Sequence, residues 1–328
     1  MKHYFYLVVF VLVYSSCLDS SSPKSDKKRL TIAEMSKALI MRPNDTLLLV
    51  QRRDLFIDNN NLPLAINDQV QLFTLDSLNP KKRHQLADLY YKHAEKNPEF
   101  YAKSMELLQG DFEYPSILLL RARLNYIYQN YEKSLEDINS YLPSYPFDAI
   151  AYFYKGLVYK EMGDLNMAKS QFQTAVEQNS KHVDSYEQLA FIYAFQKDTL
   201  AQYYFDNAIL LDSSNINLRY NKAMYYQNNN DFTNAKEEYI SLLKLDSNHT
   251  DAHFNLGYIY LTTQNYDSAI SQFSFVIDHT LYNASAFFSR GLSYKLFGNL
   301  EKAKADFIKT LELEPSFVEA SIELKNMP

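Results

Sequence analysis

Residues 284–317, ASAFFSRGLSYKLFGNLEKAKADFIKTLELEPSF, decide the fold of this chain. Gly291 is followed three positions later by Tyr294, and Ala303 is followed four positions later by Phe307. Residues three or four positions apart lie on the same face of an α-helix, so each pair places an aromatic ring beside a small residue. The small residues let two helices approach closely, and the rings fill the space beside them. The segment therefore predicts two helices joined by a short turn.

The same pattern occurs in four preceding segments, at a spacing of 33 or 34 residues. The small residue of the first helix is in turn Gly156, Ala190, Ala223, Gly257 and Gly291, and the tyrosine is Tyr159, Tyr193, Tyr226, Tyr260 and Tyr294. The aromatic residue of the second helix is Phe172, Phe205, Tyr239, Phe273 and Phe307. Each turn holds an Asp or Asn, which favours capping of the second helix: Asp164, Asp198, Asp231, Asn265 and Asn299. Five copies in register indicate an internal repeat.

The pattern Gly-x-x-Tyr followed by Ala-x-x-x-Phe resembles the tetratricopeptide repeat, a helix–turn–helix unit. The resemblance implies an all-α solenoid, a right-handed superhelix of about eight repeats in which each unit packs on its neighbours. Six units are expected at 115–317 and a capping helix at 318–328. The segment 30–114 is expected to hold a leading helix and two degenerate units, the first of which has Arg53 where a small residue belongs.

The start of the chain is typical of an export signal. The apolar run from Phe5 to Tyr14 is too short to span a bilayer, which needs roughly 20 residues. Ser15 and Ser16 then precede Cys17, the only cysteine, and this string resembles a bacterial lipoprotein signal. We expect residues 1–16 to be removed, Cys17 to carry the lipid, and residues 17–29 to form a flexible tether. An ordinary secretory signal with a chance cysteine is the alternative.

The resemblance also bears on location and modification. Leu18 follows the cysteine and Asp19 is the only acid nearby, which favours the periplasmic face of the outer membrane, with surface exposure as the alternative. The Asn, Tyr and Lys content resembles that of Bacteroidetes proteins. Four tripeptides resemble the O-glycosylation sequence of that phylum, although Asp-Ser pairs also cap helices: Asp45-Thr46-Leu47, Asp76-Ser77-Leu78, Asp198-Thr199-Leu200 and Asp267-Ser268-Ala269.

Composition excludes several classes of function. A single Cys excludes an intramolecular disulfide and a Cys-based zinc site, and five of the six Gly fall at repeat positions, which leaves no phosphate-binding loop. The net charge of −6 argues against a nucleic-acid binder. His249 and His253 fall in a loop and the next helix, and Glu237 and Glu238 are expected on a solvated helix face. We therefore expect no catalytic site, no metal and no cofactor.

The resemblance implies that the first helix of each unit lines a concave groove. The fifth residues of the six repeats, which we call position five, are Leu119, Phe153, Glu187, Tyr220, Phe254 and Phe288. Aromatic residues are common at this position in the family. The ninth residues, which we call position nine, are Arg123, Leu157, Phe191, Met224, Tyr258 and Leu292. The family usually has Asn at this position. Five successive apolar residues predict a groove for an amphipathic helix or an apolar peptide. A groove filled by its own side chains is the alternative.

These observations favour a non-enzymatic scaffold on the cell envelope. It would bind a protein or peptide partner through Leu157, Phe191, Met224, Tyr258 and Leu292. Phe153, Tyr220, Phe254 and Phe288 would lie beside these residues. The scaffold would be an accessory of an outer-membrane assembly, secretion or transport machine. The alternative is a lipoprotein that binds the cell wall or a carbohydrate through tyrosine rings. A hydrolase with its site in 80–114 is a third hypothesis.

Overall fold

The computed structural model describes residues 30–110 and 114–327. Within these residues every regular element is a helix and none is a strand. Contacts divide the chain into two compact units, one ending at Pro98 and one beginning at Glu99, and each is described by itself. None of the described helices is both long enough and apolar enough to cross a membrane.

The first unit contains four helices in its described part. These are α1 (Ile32–Met41), α2 (Thr46–Asp58), α3 (Leu62–Leu75) and α4 (Pro80–Ala94). The second unit contains α5 (Glu99–Leu107) and six consecutive helix pairs: α6 (Pro115–Ile127) and α7 (Tyr131–Tyr141), α8 (Ala149–Glu161) and α9 (Leu165–Gln178), α10 (Val183–Phe195) and α11 (Leu200–Leu211), α12 (Ile216–Asn228) and α13 (Phe232–Leu245), α14 (Thr250–Thr262) and α15 (Tyr266–His279), and α16 (Ala284–Phe297) and α17 (Leu300–Leu313). It ends with α18 (Val318–Lys325). The predicted all-α solenoid of helix–turn–helix repeats is confirmed.

The turn residues cap the second helices as predicted, with one difference. Asp164, Asp231, Asn265 and Asn299 each accept a hydrogen bond from the backbone N–H three residues later. Asp198 instead accepts from Leu200 N at 2.9 Å, and α11 has Thr199 as its N-cap. This repeat lacks one residue between the turn and Ala201, so α11 loses part of its first turn and has 12 residues where α9, α13, α15 and α17 have 14.

The small residue of the first helix contacts the aromatic ring of the second helix. A Cβ atom added to Gly291 would lie 2.7 Å from a ring carbon of Phe307, and one added to Gly156 would lie 2.6 Å from a ring carbon of Phe172. Phe172 and Phe307 are completely buried. The ring that fills this space is therefore the one in the second helix, not the tyrosine three residues after the glycine. The helix pair is held by this close approach.

Gly291→Ala is expected to lower the free energy of unfolding by about 1–3 kcal/mol, even though Ala is the better helix former. The added methyl group overlaps the Phe307 ring and lies 3.2 Å from Cβ of Asp306, so the two helices must move apart. Urea denaturation followed by circular dichroism measures the change. Ser285→Ala, at an exposed site in the same helix, is the control and should stay within about 0.5 kcal/mol. Equal stability of the two variants would contradict the packing described here.

The turn inside each repeat contains one residue in the left-handed region. These residues, with their φ angles, are Asn60 (54°), Gln129 (60°), Gly163 (84°), Lys197 (55°), Asn230 (59°), Gln264 (63°) and Gly298 (94°). Only two of them are glycine, for which this conformation carries no steric penalty. Asn60 and Asn230 also tolerate it, so the helix ends share one geometry that only three repeats adopt with an unfavourable residue, namely Gln129, Lys197 and Gln264.

Gly298→Ala is expected to destabilise the chain by about 1 kcal/mol, and Gln264→Gly is expected to stabilise it by up to about the same amount. The two substitutions make opposite changes at equivalent turn positions, since φ is 94° at Gly298 and 63° at Gln264. Thermal unfolding of both variants beside the wild type is the measurement. A melting temperature that moves in the same direction for both would contradict the shared turn geometry.

Candidate partner-binding surface

The position-five aromatic residues pack into the helix pairs. The Phe153 ring lies 5.8 Å from the Phe172 ring, and the Phe288 ring lies 5.7 Å from the Phe307 ring. Tyr220 contacts Tyr239 and Phe254 contacts Phe273 in the same way, with ring centres 6.0 Å and 5.5 Å apart. All four position-five rings are half-buried. This row supports the core and presents only part of its surface.

Two histidines tie the position-five row to the following repeat. His182 Nδ1 accepts a hydrogen bond from Ser185 N at 3.3 Å as the N-cap of α10, and its ring lies 5.0 Å from the Phe153 ring. Burial lowers the pKa of His182, and the charges of Asp184 and Asp148 oppose that shift. His249 caps α14 in the same way.

The position-nine row is more open at two places. Phe191 exposes 36 % and Tyr258 exposes 46 % of its surface. Leu157, Met224 and Leu292 are half-buried and pack against the hydrophobic cores of their repeats. The nine predicted residues therefore lie on the first helices in two rows, and Phe191 and Tyr258 are the most exposed of the nine.

Polar contacts join consecutive first helices. Lys160 Nζ of α8 donates to Gln188 Oε1 of α10 at 2.8 Å. Asn255 Nδ2 of α14 donates to the Tyr220 hydroxyl of α12 at 3.1 Å. Helices α6 and α8 are also neighbours, as are α14 and α16. The first helices thus form one surface along the second unit, and the position-nine residues follow it.

Sequence reasoning missed Phe195, the most exposed aromatic residue on this surface. Phe195 lies four residues after Phe191, on the same helix face, and 78 % of its surface is exposed. It borders an open cleft with Tyr225 and Asn228 of α12. The spacing from Phe191 could have revealed it, but the repeat pattern gives no reason to examine that position.

A second missed feature is an ion pair inside single repeats. Arg290 Nε and Nη2 donate to the two carboxylate oxygens of Asp306, each at 2.8 Å, and Nη1 donates to Ser274 Oγ at 3.1 Å. Asp306 is buried, and its hydrogen bonds raise the pKa of Arg290. Equivalent pairs, sixteen residues apart and at the same repeat positions, are Arg52–Asp68, Arg121–Asp137 and Lys222–Glu238. These pairs join the two helices of a repeat, and each of their residues directly precedes one of the two contact residues in the sequence.

The degenerate repeat in the first unit replaces an apolar contact by a polar one. Arg53 occupies the position of the small residue and is buried, and Arg53 Nη1 donates to Gln69 Oε1 at 2.7 Å. Gln69, also buried, occupies the position of the second-helix aromatic residue and donates to Lys82 O at 2.9 Å. The departure from the pattern at one position is therefore matched by a departure at its partner position.

The described residues contain no cluster of His, Cys, Asp and Glu side chains with the arrangement of a metal site. His253 hydrogen-bonds to Gln272 Oε1 at 2.6 Å, and its ring stacks on Phe275 with centres 3.8 Å apart. His249 is occupied in capping α14. Both imidazoles thus have structural contacts.

The paired helices and their close contacts define a solenoid of helix–turn–helix repeats. Residues 149–182 and 284–317 match one sequence model of the tetratricopeptide repeat, and residues 220–274 match another. The matched segments, 34, 34 and 55 residues long, together cover 123 of the 328 residues and are similar in sequence to the tetratricopeptide repeat. Domains of this class bind protein or peptide partners.

Solved structures resemble the chain in fold. The C-terminal part of a tetratricopeptide-repeat protein from Cytophaga hutchinsonii is 18% identical with a TM-score of 0.64, covering 74% of this chain and 99% of its own. YrrB, described as a TPR protein with an unusual peptide-binding site, is 23% identical with a TM-score of 0.51, covering 57% and 97%. Human IFIT1, solved as a dimer with PPP-AAAA, is 17% identical with a TM-score of 0.54, covering 86% and 68%. No curated protein has a sequence that matches the chain.

Proposed function

We propose that the chain is a non-enzymatic scaffold that binds a protein or peptide partner on the surface formed by its first helices. The observation that carries the proposal is the exposure of Phe191 and Tyr258 in a row of otherwise half-buried apolar residues. Large aromatic side chains that pack against the protein on one side and are exposed to solvent on the other are typical anchors of protein interfaces. The Phe191 ring is held in this way, since it packs edge-on against the Phe205 ring with centres 6.0 Å apart.

We also propose that the scaffold is attached to the bacterial outer membrane, facing the periplasm, by a lipid on Cys17. Residues 1–29, which would hold the signal, the lipidated cysteine and the tether, lie outside the described residues. The proposal rests on the apolar run from Phe5 to Tyr14 and on the position of the only cysteine, which follows the run after two serines. A lipid-anchored scaffold would serve an assembly, secretion or transport machine of the envelope.

Affinity purification from gently solubilised envelopes tests both parts of this proposal. The tagged wild type should recover a membrane protein in constant ratio, identified by mass spectrometry, and should itself carry the mass of the lipid. Cys17→Ser should release the protein from the membrane fraction. A soluble wild type would contradict the anchor, and a wild type that recovers no protein would contradict the scaffold.

Binding to the cell wall or to a carbohydrate is the second candidate. Exposed tyrosine rings favour it, namely Tyr258 on the first-helix surface, Tyr203 on α11 and Tyr282 in the loop before α16. Such rings can stack on the apolar faces of sugars. Retention on purified sacculi after detergent washing, lost in Tyr258→Ala, would support this candidate against the protein partner.

A further inference from the structure

One side of α10 combines carboxylates and exposed aromatic rings. Asp184, Glu187, Phe191 and Phe195 follow one another at intervals of three, four and four residues, so they form a single stripe along the helix. The helix contains no Lys or Arg. Its first half is therefore acidic on this stripe and its second half is aromatic.

Glu187 is an exception within the position-five row. The other members of the row are Leu119, Phe153, Tyr220, Phe254 and Phe288, all apolar or aromatic. Glu187 is half-buried among them, and burial, followed by the charge of Asp184, raises its pKa. A carboxylate that has lost part of its water shell gains more from a cationic partner than a fully solvated one does.

The nearby charges leave this stripe negative. Lys160 is the cation that acts on Glu187, and its Nζ donates to the neutral Gln188 Oε1 at 2.8 Å, so its single positive charge offsets only one of the two carboxylates on the stripe. Asp184 is exposed and carries a second negative charge on the same stripe. The aromatic half offers Phe191, whose ring is braced by Phe205, and Phe195, which borders the cleft towards α12.

From this arrangement we infer that the partner of the first-helix surface is a basic, apolar peptide segment, with a Lys or Arg side chain at Glu187 and an apolar side chain at Phe191 and Phe195. The inference rests on the proposed scaffold function and specifies the chemistry of its ligand. Glu187 and Phe191 are one helical turn apart, about 6 Å, so cation and apolar anchor must be close neighbours in the ligand. Charge complementarity sets the preference, and the aromatic rings hold the apolar anchor.

Binding of three fluorescent peptides of equal length to the purified protein tests the inference. One peptide alternates Lys and Leu, the second alternates Glu and Leu, and the third alternates Lys and Ser. The wild type should bind the Lys–Leu peptide at least about tenfold more tightly than either of the others, and added salt should reduce that affinity. Glu187→Gln, which keeps the size of the side chain, should weaken the Lys–Leu complex about tenfold.

Two further variants make the result specific. Glu187→Lys should reverse the preference in favour of the Glu–Leu peptide. Glu177→Gln, which removes an exposed carboxylate from the second helix α9, is the matched control and should bind as the wild type does. Circular dichroism confirms that each variant is folded.

Several outcomes would overturn the inference. These are equal affinity for the Lys–Leu and Glu–Leu peptides, no binding of any peptide by the wild type, or a Glu187→Gln variant that binds as the wild type does. If Phe191→Asp abolishes binding while Glu187→Gln leaves it unchanged, the basic ligand is wrong and the apolar binding surface stands. The proposed scaffold function is tested separately, by whether the tagged protein recovers a partner from envelopes.

Discussion

Replacing both Phe191 and Tyr258 by Asp is expected to abolish recovery of the partner while the helix content stays the same. Both rings are more than a third exposed, and neither belongs to the fully buried core, so the helices should form in the variant, which circular dichroism checks. In the complex each Asp would have to bury a charge where a ring had buried apolar surface. Losing one such anchor costs about 2 kcal/mol or more, and two together reduce affinity by more than about a thousandfold. Affinity purification from envelopes is the measurement.

A matched pair of substitutions tests whether the loss of binding is specific to the first-helix surface or follows from placing Asp at any exposed apolar position. Tyr203 and Leu210 lie on α11, a second helix, and are at least as exposed as the two anchors. Tyr203→Asp with Leu210→Asp should therefore recover the partner in wild-type amount. If the control pair abolishes recovery and the Phe191 and Tyr258 pair does not, the partner binds elsewhere and the proposed surface is wrong.

Asp306→Ala is expected to lower the free energy of unfolding by about 3 kcal/mol. The substitution leaves the Arg290 guanidinium without its bidentate partner in a site where only 18 % of the arginine side chain is exposed. Removing one member of a buried ion pair typically costs about 3–5 kcal/mol, because the remaining charge is left unpaired, and the partial exposure of Arg290 places this case at the lower end. The midpoint of urea denaturation measures the loss.

An exposed ion pair in the same repeat provides the control. Lys309 and Glu312 are 2.8 Å apart, and each exposes about half of its side chain. Lys309→Ala should change stability by less than about 1 kcal/mol, because water already screens that pair. The double variant Arg290→Met with Asp306→Leu should recover most of what Asp306→Ala loses, since no unpaired charge remains. A double variant as unstable as Asp306→Ala would contradict this explanation.

Much of the fold could be predicted because the repeat pattern is local. The small residue, the aromatic residue and the Asp or Asn of the turn all lie within one helix pair, and their spacing gives the register of both helices. The 33-residue spacing from Ala190 to Ala223 shows that this repeat is one residue short, but the spacing alone does not say that the start of α11 is the part that is shortened. The Arg290–Asp306 pair could not be predicted because its two residues lie sixteen positions apart on different helices. Helical periodicity predicts which residues are neighbours within one helix, but not which residues meet across a turn.

The candidate surface could be predicted only in part. Position nine identifies which residues lie on the first helices, but the exposure of each one depends on the side chains of the neighbouring repeat. Met224 is half-buried and contacts Asn255 of the next first helix, whereas Tyr258 is open. Glu187 was visible in the sequence, yet its significance depends on its burial beside Asp184, which only the packed structure reveals. Lipidation of Cys17 and the envelope location stay predictions.

Site-specific photocrosslinking in growing cells tests whether the partner binds the first-helix surface. A photoreactive phenylalanine analogue would replace Tyr258 on the first-helix surface, or the exposed Leu210 of the second helix α11 in a second strain. We expect a discrete crosslinked adduct with one partner protein from position 258 and none from position 210. An adduct from position 210 alone would contradict the proposal that the partner binds the first-helix surface.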